Sequence, residues 1–414
     1  MPISLQTPGT ALVIELLKIA FVFALIVGLL RLKWNIGVVM LIAAGALGVL
    51  MGMGAFAMLG SAFRASTDRT ALSLIVALAL IMVLENILRT TGTLARLVDS
   101  LQGLLGDNRV VMGLMPAIIG LLPSAGGARF SAPLVEESAN GCVIDPERKS
   151  FINYLFRHIW EYVSPLYPGF ILTSALASVS MGRLFVWQIS FPVTVLLAST
   201  FFGFRGIETR PHASGRTRRH DLRVAAESFA PILASILLVI AAGIDVAVSM
   251  ALVVGALLLF HRYSARRAWK AVRESVSVKT LLLVVGVLVF KGVMEESGAV
   301  EHLPQAMESL GVPVIVVLFA LPFLVGVMTG ITVAYVGVAF PLILPLITGP
   351  GGVDMGLLAF AFAAGFAGVM FSPVHLCLVL TRDYFSSKLT PIYRMMIVPE
   401  AAVMLVALIQ VGLF

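Results

Sequence analysis

The sequence predicts an all-α polytopic membrane protein of about ten transmembrane helices and two re-entrant hairpins, in two inverted-topology repeats. Three observations predict this fold class. Hydrophobic residues make up 59% of the 414-residue chain and charged residues only 12%, roughly half the charge that a soluble domain of this length carries. Apolar runs of about 20 residues, the length that crosses the hydrocarbon core, follow one another along the chain. Helix-breaking residues of the first half recur in the second half.

The recurrence is seen most clearly in the prolines. Pro116 and Pro322 are 206 positions apart (322 − 116), and Pro165 and Pro373 are 208 positions apart (373 − 165). In membrane transporters, hydrophobic segments interrupted at corresponding positions of two halves indicate the substrate site. The repeat therefore predicts both the architecture and the place of the chemistry.

Each repeat is predicted to contain three spans, a hairpin, a broken span and a last span. In the first repeat, residues 1–204, these elements lie near 11–30, 35–55, 70–90, 109–138 (hairpin), 151–180 (broken span) and 184–204. In the second repeat, residues 223–414, they lie near 223–244, 246–262, 277–297, 312–347 (hairpin), 355–381 (broken span) and 395–413. Residues 205–222 form the linker. The N-terminus lacks a basic region and a cleavage site, so the first segment is read as a retained span.

Positive charge predicts the orientation. The linker and its flank, Arg205 to Arg223, hold six arginines, and the loop from Arg262 to Lys279 holds six basic residues. Both segments are expected in the cytoplasm, with both termini outside the inner (plasma) membrane. Five crossings per half is an odd number, so the halves are inverted. The lipid bilayer is then the expected partner, and the net charge of +7 reflects topology and not nucleic-acid binding.

The two hairpin tips are the first candidate binding residues. The first tip holds Pro123, Ser124, Ala125, Gly126 and Gly127, and the second holds Thr329, Gly330 and Thr332. Glycines bring backbone N–H groups close to a ligand, and a helix that begins at the tip favours an anion. The alternative is an ordinary kinked span with proline and glycine at a helix interface.

The two broken spans are the second candidate. Ser164 and Pro165 interrupt one span, and Ser372 and Pro373 interrupt its partner. A proline removes a backbone hydrogen bond, which exposes carbonyl groups to a ligand or a coupling cation. The alternative is a packing kink in which the serine hydroxyls satisfy the backbone.

Ionisable residues at membrane depth are the third candidate. Arg129 follows the first tip, and its guanidinium fork suits a carboxylate or phosphate; alternatively it pairs with Glu136 or reaches the surface. Glu85 and His375 are candidates for ion coupling. The alternatives are a polar helix end for Glu85 and a neutral, hydrogen-bonded imidazole for His375.

Two further groups of residues are read structurally or in terms of what they exclude. Arg157, His158 and Glu161 are read as a network at the cytoplasmic end of a span. The two cysteines, Cys142 and Cys377, indicate neither a disulfide framework nor a metal cluster.

The motif Leu121–Gly127, with the following Phe130–Pro133, resembles an uncharacterised prokaryotic membrane family within the ion-transporter superfamily. This superfamily includes divalent anion/sodium symporters and gluconate permeases. The resemblance implies that hairpin tips and helix breaks form the binding site of an elevator-type transport domain. It also implies a scaffold at the interface of a homodimer. Sodium-coupled relatives carry Ser-Asn-Thr at each tip, whereas neither tip here has an asparagine.

The sequence thus predicts a secondary active transporter of a small organic anion, coupled to a proton or sodium gradient. The missing asparagines favour protons. The chain has no P-loop, so direct drive by ATP is not expected, and no cofactor other than the coupling ion is expected. The alternatives are an intramembrane enzyme acting on a lipid or isoprenoid, and a channel.

Overall fold

Helices, most of them apolar, dominate the computed structural model, which describes residues 8–124, 126–208, 218–299, 304–305 and 311–413. Of the predicted linker, residues 209–217 lie outside this part. The α-helices before the linker are Pro8–Arg31, Ile36–Leu50, Ala55–Thr67, Arg69–Thr90, Thr93–Leu104, Asn108–Ile119, Ala128–Ser138, Pro146–His158, Pro168–Ala177, Met181–Gln188 and Ser190–Phe204. A 3₁₀ turn covers Ile159–Tyr162.

The second half has a similar order of elements. Its α-helices are Arg218–Ile236, Val246–Phe260, Ala265–Ser275, Val278–Glu296, Val314–Thr329, Thr332–Ile347, Met355–Met370, Leu376–Phe385 and Leu389–Leu413. A π-helical turn covers Leu237–Ala241. The two-residue strands Thr348–Gly349 and Gly352–Val353 pair antiparallel, with Thr348 opposite Val353.

The helices begin and end where local chemistry dictates, and several of these positions recur. Asn35 and Asp245, 210 positions apart (245 − 35), each cap a helix by accepting hydrogen bonds from backbone N–H groups of its first turn. Ser178 and Ser386, 208 positions apart (386 − 178), each end a helix in the left-handed conformation with φ of 53°.

Four helices of the described part are long and apolar enough to cross a membrane: Arg69–Thr90, Met181–Phe204, Arg218–Ala241 and Leu389–Gly412. Seven further apolar helices have 10–17 residues, shorter than the roughly 20 that a straight crossing needs. The chain is therefore an all-α membrane protein, and the count of ten crossings stays a prediction.

Three helices lie in segments that hydropathy treats as connections. Ala55–Thr67, Thr93–Leu104 and Ala265–Ser275 are helical. The predicted basic loop contains a helix: most of the segment is Ala265–Ser275, which Ser264 caps and which bends by 62° from Val278–Glu296. Its charged residues lower the local hydropathy, so an apolar-run criterion overlooks it.

Two helical hairpins occupy the predicted positions. In the first hairpin, Asn108–Ile119 packs against Ala128–Ser138, and in the second, Val314–Thr329 packs against Thr332–Ile347. Residues 120–124 and 126–127 are the described part of the first hairpin turn, and residues 330–331 are the second hairpin turn.

Both serine–proline motifs lie in non-helical backbone. We define the first break as residues 159–167, between Pro146–His158 and Pro168–Ala177, and the second break as residues 371–375, between Met355–Met370 and Leu376–Phe385. Aromatic side chains pack beside the first break: the rings of Tyr162 and Phe366 meet edge to face with centroids 4.6 Å apart, and both are fully buried. The first break therefore lies in the core of the molecule.

Candidate functional site

Each hairpin turn lies against a helix break. The Tyr167 hydroxyl, in the first break, donates to the Gly120 carbonyl at 2.6 Å. In the second half, the Ser372 hydroxyl donates to the Val327 carbonyl at 2.6 Å, and His375 Nδ1 lies 2.8 Å from the Gly330 carbonyl. Two further contacts, described below, join the halves. All four segments therefore meet at one buried polar cluster.

Arg157 provides the positive charge of this cluster. Its side chain is 3% exposed, and Nη2 donates to the Ser124 carbonyl at 2.8 Å and the Ser124 hydroxyl at 3.1 Å. Within the described residues, Nε and Nη1 have no hydrogen-bond partner. A buried donor without a partner is costly, so Nε and Nη1, which lie on different edges of the guanidinium, are each suited to receive an acceptor from a ligand.

Glycines hold the first hairpin turn close to Arg157. A Cβ atom at Gly127 would collide with the Arg157 guanidinium and the Ser124 hydroxyl, and a Cβ atom at Gly120 would collide with the Arg157 carbonyl oxygen. Only glycine permits this close approach of backbone to a charged side chain.

Glu161 provides the negative charge. The Thr332 hydroxyl donates to Glu161 Oε2 at 2.7 Å, and His158 Nε2 lies 3.7 Å from Oε1. The carboxylate stands on the 3₁₀ turn of the first break, whereas Thr332 opens the second helix of the second hairpin. Glu161 therefore connects one half of the chain to the other.

Two histidines make the second connection. His158 and His375 face one another with their Nε2 atoms 3.1 Å apart. The Nδ1 atom of His158 lies 2.6 Å from the Tyr154 carbonyl, and His375 Nδ1 is held by Gly330 as described. The buried thiol of Cys377 completes the group, since the ligand atoms of these three residues all lie within 4.8 Å of one another.

A layer of neutral hydrogen bonds holds the two broken helices in register. Asn153 donates to the Thr381 hydroxyl at 2.9 Å, and the hydroxyls of Ser150 and Ser387 are 2.7 Å apart. The Tyr154 hydroxyl donates to the Met370 carbonyl at 3.1 Å. These bonds position Arg157 and His158 against the second break.

Most sequence-predicted site residues lie in or beside the cluster. Ser124, Gly127, Gly330, Thr332, Ser372 and His375 make the contacts described above. Pro123, Gly126, Ser164, Pro165 and Pro373 belong to the same turns and breaks; Ser164 accepts a hydrogen bond from Leu166 N at 3.3 Å and closes its turn. Ala125 lies outside the described residues.

Two predicted residues direct their side chains differently. The Thr329 hydroxyl donates to the Val325 carbonyl of its own helix at 2.8 Å. Arg129 is exposed at the start of the helix that follows the first tip, so it adds no buried charge to the cluster, and its depth in the bilayer stays a prediction. The helix begins at Ala128, and successive residues of a helix point to different faces. The guanidinium at the tip comes instead from Arg157.

Glu85 lies at the edge of the cluster. Its carboxylate is half-buried on helix Arg69–Thr90 and interacts electrostatically with Arg89 and Arg157. The neighbouring Asn86 is occupied structurally, because its amide donates to the Ser275 hydroxyl at 2.6 Å. Glu85 is therefore close enough to influence the site without contacting its histidines.

A separate cleft of about 690 Å³ opens beside helix Pro168–Ala177. Its lining includes Arg69, Ser73 and Asp245, and the Ser73 hydroxyl donates to Asp245 Oδ2 at 2.7 Å. Ile171 also lines the cleft, less than one helical turn from Gly169, which packs on Thr332. We call this feature the Asp245 cleft.

Sequence reasoning missed the residues that carry charge into the cluster. Arg157, His158 and Glu161 are buried at the end of helix Pro146–His158, where they belong to the cluster, and Cys377 lies beside two other metal-ligating groups. The available signal was position, because the three charged or titratable residues directly precede the first serine–proline motif.

Fold and site together define an all-helical membrane protein with a buried polar cluster between its helix breaks. The chain belongs to the family described as protein of unknown function (DUF401), whose model matches residues 13–413. None of the curated proteins matches the chain.

Proposed function

We propose that this protein is a secondary active transporter of a small organic anion, coupled to a proton or sodium gradient. The observation that carries the proposal is the convergence of two hairpin turns and two helix breaks on one buried polar cluster. Ionisable residues buried among apolar helices are costly, and they mark substrate or ion pathways. Broken helices that meet at a buried site are the arrangement in which transporters bind substrate.

Arg157 favours an anionic substrate. The Nε and Nη1 donors of its guanidinium have no hydrogen-bond partner in the described chain, and hydrogen bonds from a buried guanidinium to the oxygens of a carboxylate or phosphate are strong. Oxygens of an anion could satisfy these donors one at a time. Glu161, already occupied by Thr332, would repel an anion on its own side and so orient the substrate toward Arg157.

The proposed architecture is two inverted repeats of five crossings and one re-entrant hairpin each, as in the ion-transporter superfamily that the sequence resembles. The recurring helix caps Asn35 and Asp245 and the recurring left-handed residues Ser178 and Ser386 support a repeat. The hairpins and broken helices would form a moving elevator domain, and the first helices of each half a scaffold at a homodimer interface. The Asp245 cleft would be the outer vestibule of the substrate site.

An intramembrane enzyme is the second candidate. The observation that favours it is the Cys377 thiol beside the imidazoles of His158 and His375, since a thiol and a base form a nucleophilic pair. Such an enzyme would consume its substrate, whereas a carrier returns it unchanged. The two candidates therefore differ in a single measurement.

Counterflow into proteoliposomes tests transport. Vesicles loaded with one unlabelled organic acid are diluted into the same radiolabelled acid, and the screen runs through mono-, di- and tricarboxylates and organic phosphates. We expect transient accumulation of chemically unchanged label for at least one anion, and accumulation against a gradient when a pH or sodium gradient is imposed.

Empty vesicles and vesicles with Gly120→Leu protein, in which the side chain would displace the Arg157 backbone, are the controls. Conversion of the label to a new compound would contradict the carrier function and support the enzyme. Uptake that does not respond to any imposed gradient and never exceeds equilibration would contradict coupled transport and support a channel.

The predicted topology can be tested by cysteine labelling in a Cys142→Ser background. We expect a cysteine in the linker, Ser214→Cys, to react with an impermeant maleimide only in inside-out vesicles, because the linker is expected in the cytoplasm. Gly351→Cys, at an open turn with no atom near its added Cβ, is the matched outer position and should react in intact cells. Labelling of both residues from the same side would exclude the inverted arrangement.

A further inference from the structure

The contact between His158 and His375 requires something between the two rings. Each Nδ1 atom lies within hydrogen-bond distance of a backbone carbonyl, at 2.6 Å for His158 and 2.8 Å for His375. A carbonyl oxygen only accepts hydrogen bonds, so each Nδ1 carries a hydrogen. In the neutral imidazole the Nε2 atom is then an unprotonated acceptor. Two lone pairs therefore point at each other across 3.1 Å.

Such a pair is stabilised either by a proton that one ring donates to the other or by a metal cation bound to both rings. Two imidazole nitrogens bound to one tetrahedral metal ion are about 3.3 Å apart, given metal–nitrogen bonds of 2.0–2.1 Å. The observed separation of His158 and His375 is close to this value. The hydrogen bonds from Nδ1 to carbonyl groups are also those that orient metal-binding histidines, fix the tautomer and aim Nε2 at the ion.

Cys377 supplies a third ligand of matching chemistry. Its thiol lies within 4.8 Å of both imidazole ligand atoms, and it is buried with them. Two imidazoles and a sulfur select a borderline or soft transition-metal ion, whereas magnesium, calcium and sodium prefer oxygen ligands. Glu161 Oε1, 3.7 Å from His158 Nε2, is near enough to act as a fourth ligand.

We propose that His158, His375 and Cys377 form a binding site for one transition-metal cation of the Zn²⁺ class. On binding, the thiol loses its proton to solvent and the sulfur forms a metal bond, so the site gains one net positive charge from a divalent ion. The ion would connect the first break to the second break and, through Gly330, to the second hairpin turn. It would also place a second positive charge beside Arg157.

Cobalt titration of the full-length protein in detergent tests this site, after removal of bound metal with a chelator. Co²⁺ reports both geometry and sulfur ligation, through d–d absorption and a thiolate-to-cobalt charge-transfer band. We expect one Co²⁺ per chain, both bands, and displacement by one equivalent of Zn²⁺. Cys377→Ser should lose the charge-transfer band, and His158→Gln or His375→Gln should weaken binding by at least tenfold.

Matched controls use the other cysteine and a histidine outside the cluster. Cys142→Ser and His261→Gln should bind Co²⁺ as the native protein does. If the native protein binds less than one Co²⁺, the proposal fails whatever the variants do, and the two rings share a proton instead. A charge-transfer band that persists in Cys377→Ser would also overturn it. No transport is measured, so failure here leaves the proposed carrier function to its own test.

Discussion

Arg157→Lys should raise the substrate concentration for half-maximal uptake by at least about 30-fold. Arg157 is the buried cation of the cluster, and its fork both holds the Ser124 carbonyl and leaves two donors free for an anion. Lysine keeps the charge but cannot hold Ser124 and donate to an anion from separate, rigidly placed nitrogens. Disrupting one member of a buried, hydrogen-bonded charge pair costs about 2–5 kcal/mol, and 2 kcal/mol corresponds to a factor of about 30.

Arg129→Lys is the matched control, because Arg129 is exposed on the helix that follows the same hairpin turn. Exposed substitutions stay within about 0.5 kcal/mol, so its half-maximal concentration should change by about twofold at most. Both variants are measured with the anion found by counterflow, after gel filtration has shown that they are folded. Equal effects in the two variants, or none in Arg157→Lys, would remove Arg157 from the substrate site.

The hairpin turns could be predicted from the sequence, whereas the choice between Arg129 and Arg157 as the buried arginine could not. The hairpin turns and the broken helices follow from local chemistry, since glycine and proline act on the backbone within a few residues. Ser124, Gly127, Gly330, Thr332, Ser372 and His375 could be named for that reason. The residue at which a helix begins decides which of its faces is buried. Because this helix begins at Ala128, Arg129 is exposed.

The cluster of His158, His375 and Cys377 could not be predicted from the sequence. His158 and His375 are 217 positions apart in sequence, so no local motif indicates that they bind the same ligand. The repeat does not help either, because the two histidines occupy different positions relative to their breaks: His158 precedes the first break and His375 ends the second. Only the packing of the two broken helices brings the imidazoles together.

The helices between the spans were overlooked for a different reason. Ala265–Ser275 carries several basic residues, so a search for apolar runs assigns it to a loop. Its helical start is nevertheless local: the Ser264 hydroxyl accepts from the Arg267 N–H at 3.3 Å, as an N-cap does. Capping signals would have identified this helix where hydropathy did not.

Gly330→Ala should abolish uptake and lower the melting temperature of the protein. Gly330 has φ of +62°, and an added Cβ would lie 2.9 Å from both N and Cα of His375 and 3.0 Å from the Ser372 hydroxyl oxygen. The left-handed conformation alone costs a residue with a Cβ about 1–2 kcal/mol. Relief of the contacts must move the backbone of the second break and lengthen the hydrogen bond between His375 Nδ1 and the Gly330 carbonyl.

Gly52→Ala separates backbone strain from contact with the site. Gly52 has φ of +77°, and nothing lies within 4 Å of the Cβ that alanine would add, so this variant bears the left-handed cost without a collision. We expect Gly52→Ala to lose some thermal stability and retain uptake, whereas Gly330→Ala loses both. The added loss in Gly330→Ala then measures how tightly the second hairpin turn is held against His375. If Gly330→Ala retains uptake as Gly52→Ala does, the second hairpin turn has no part in the transport cycle.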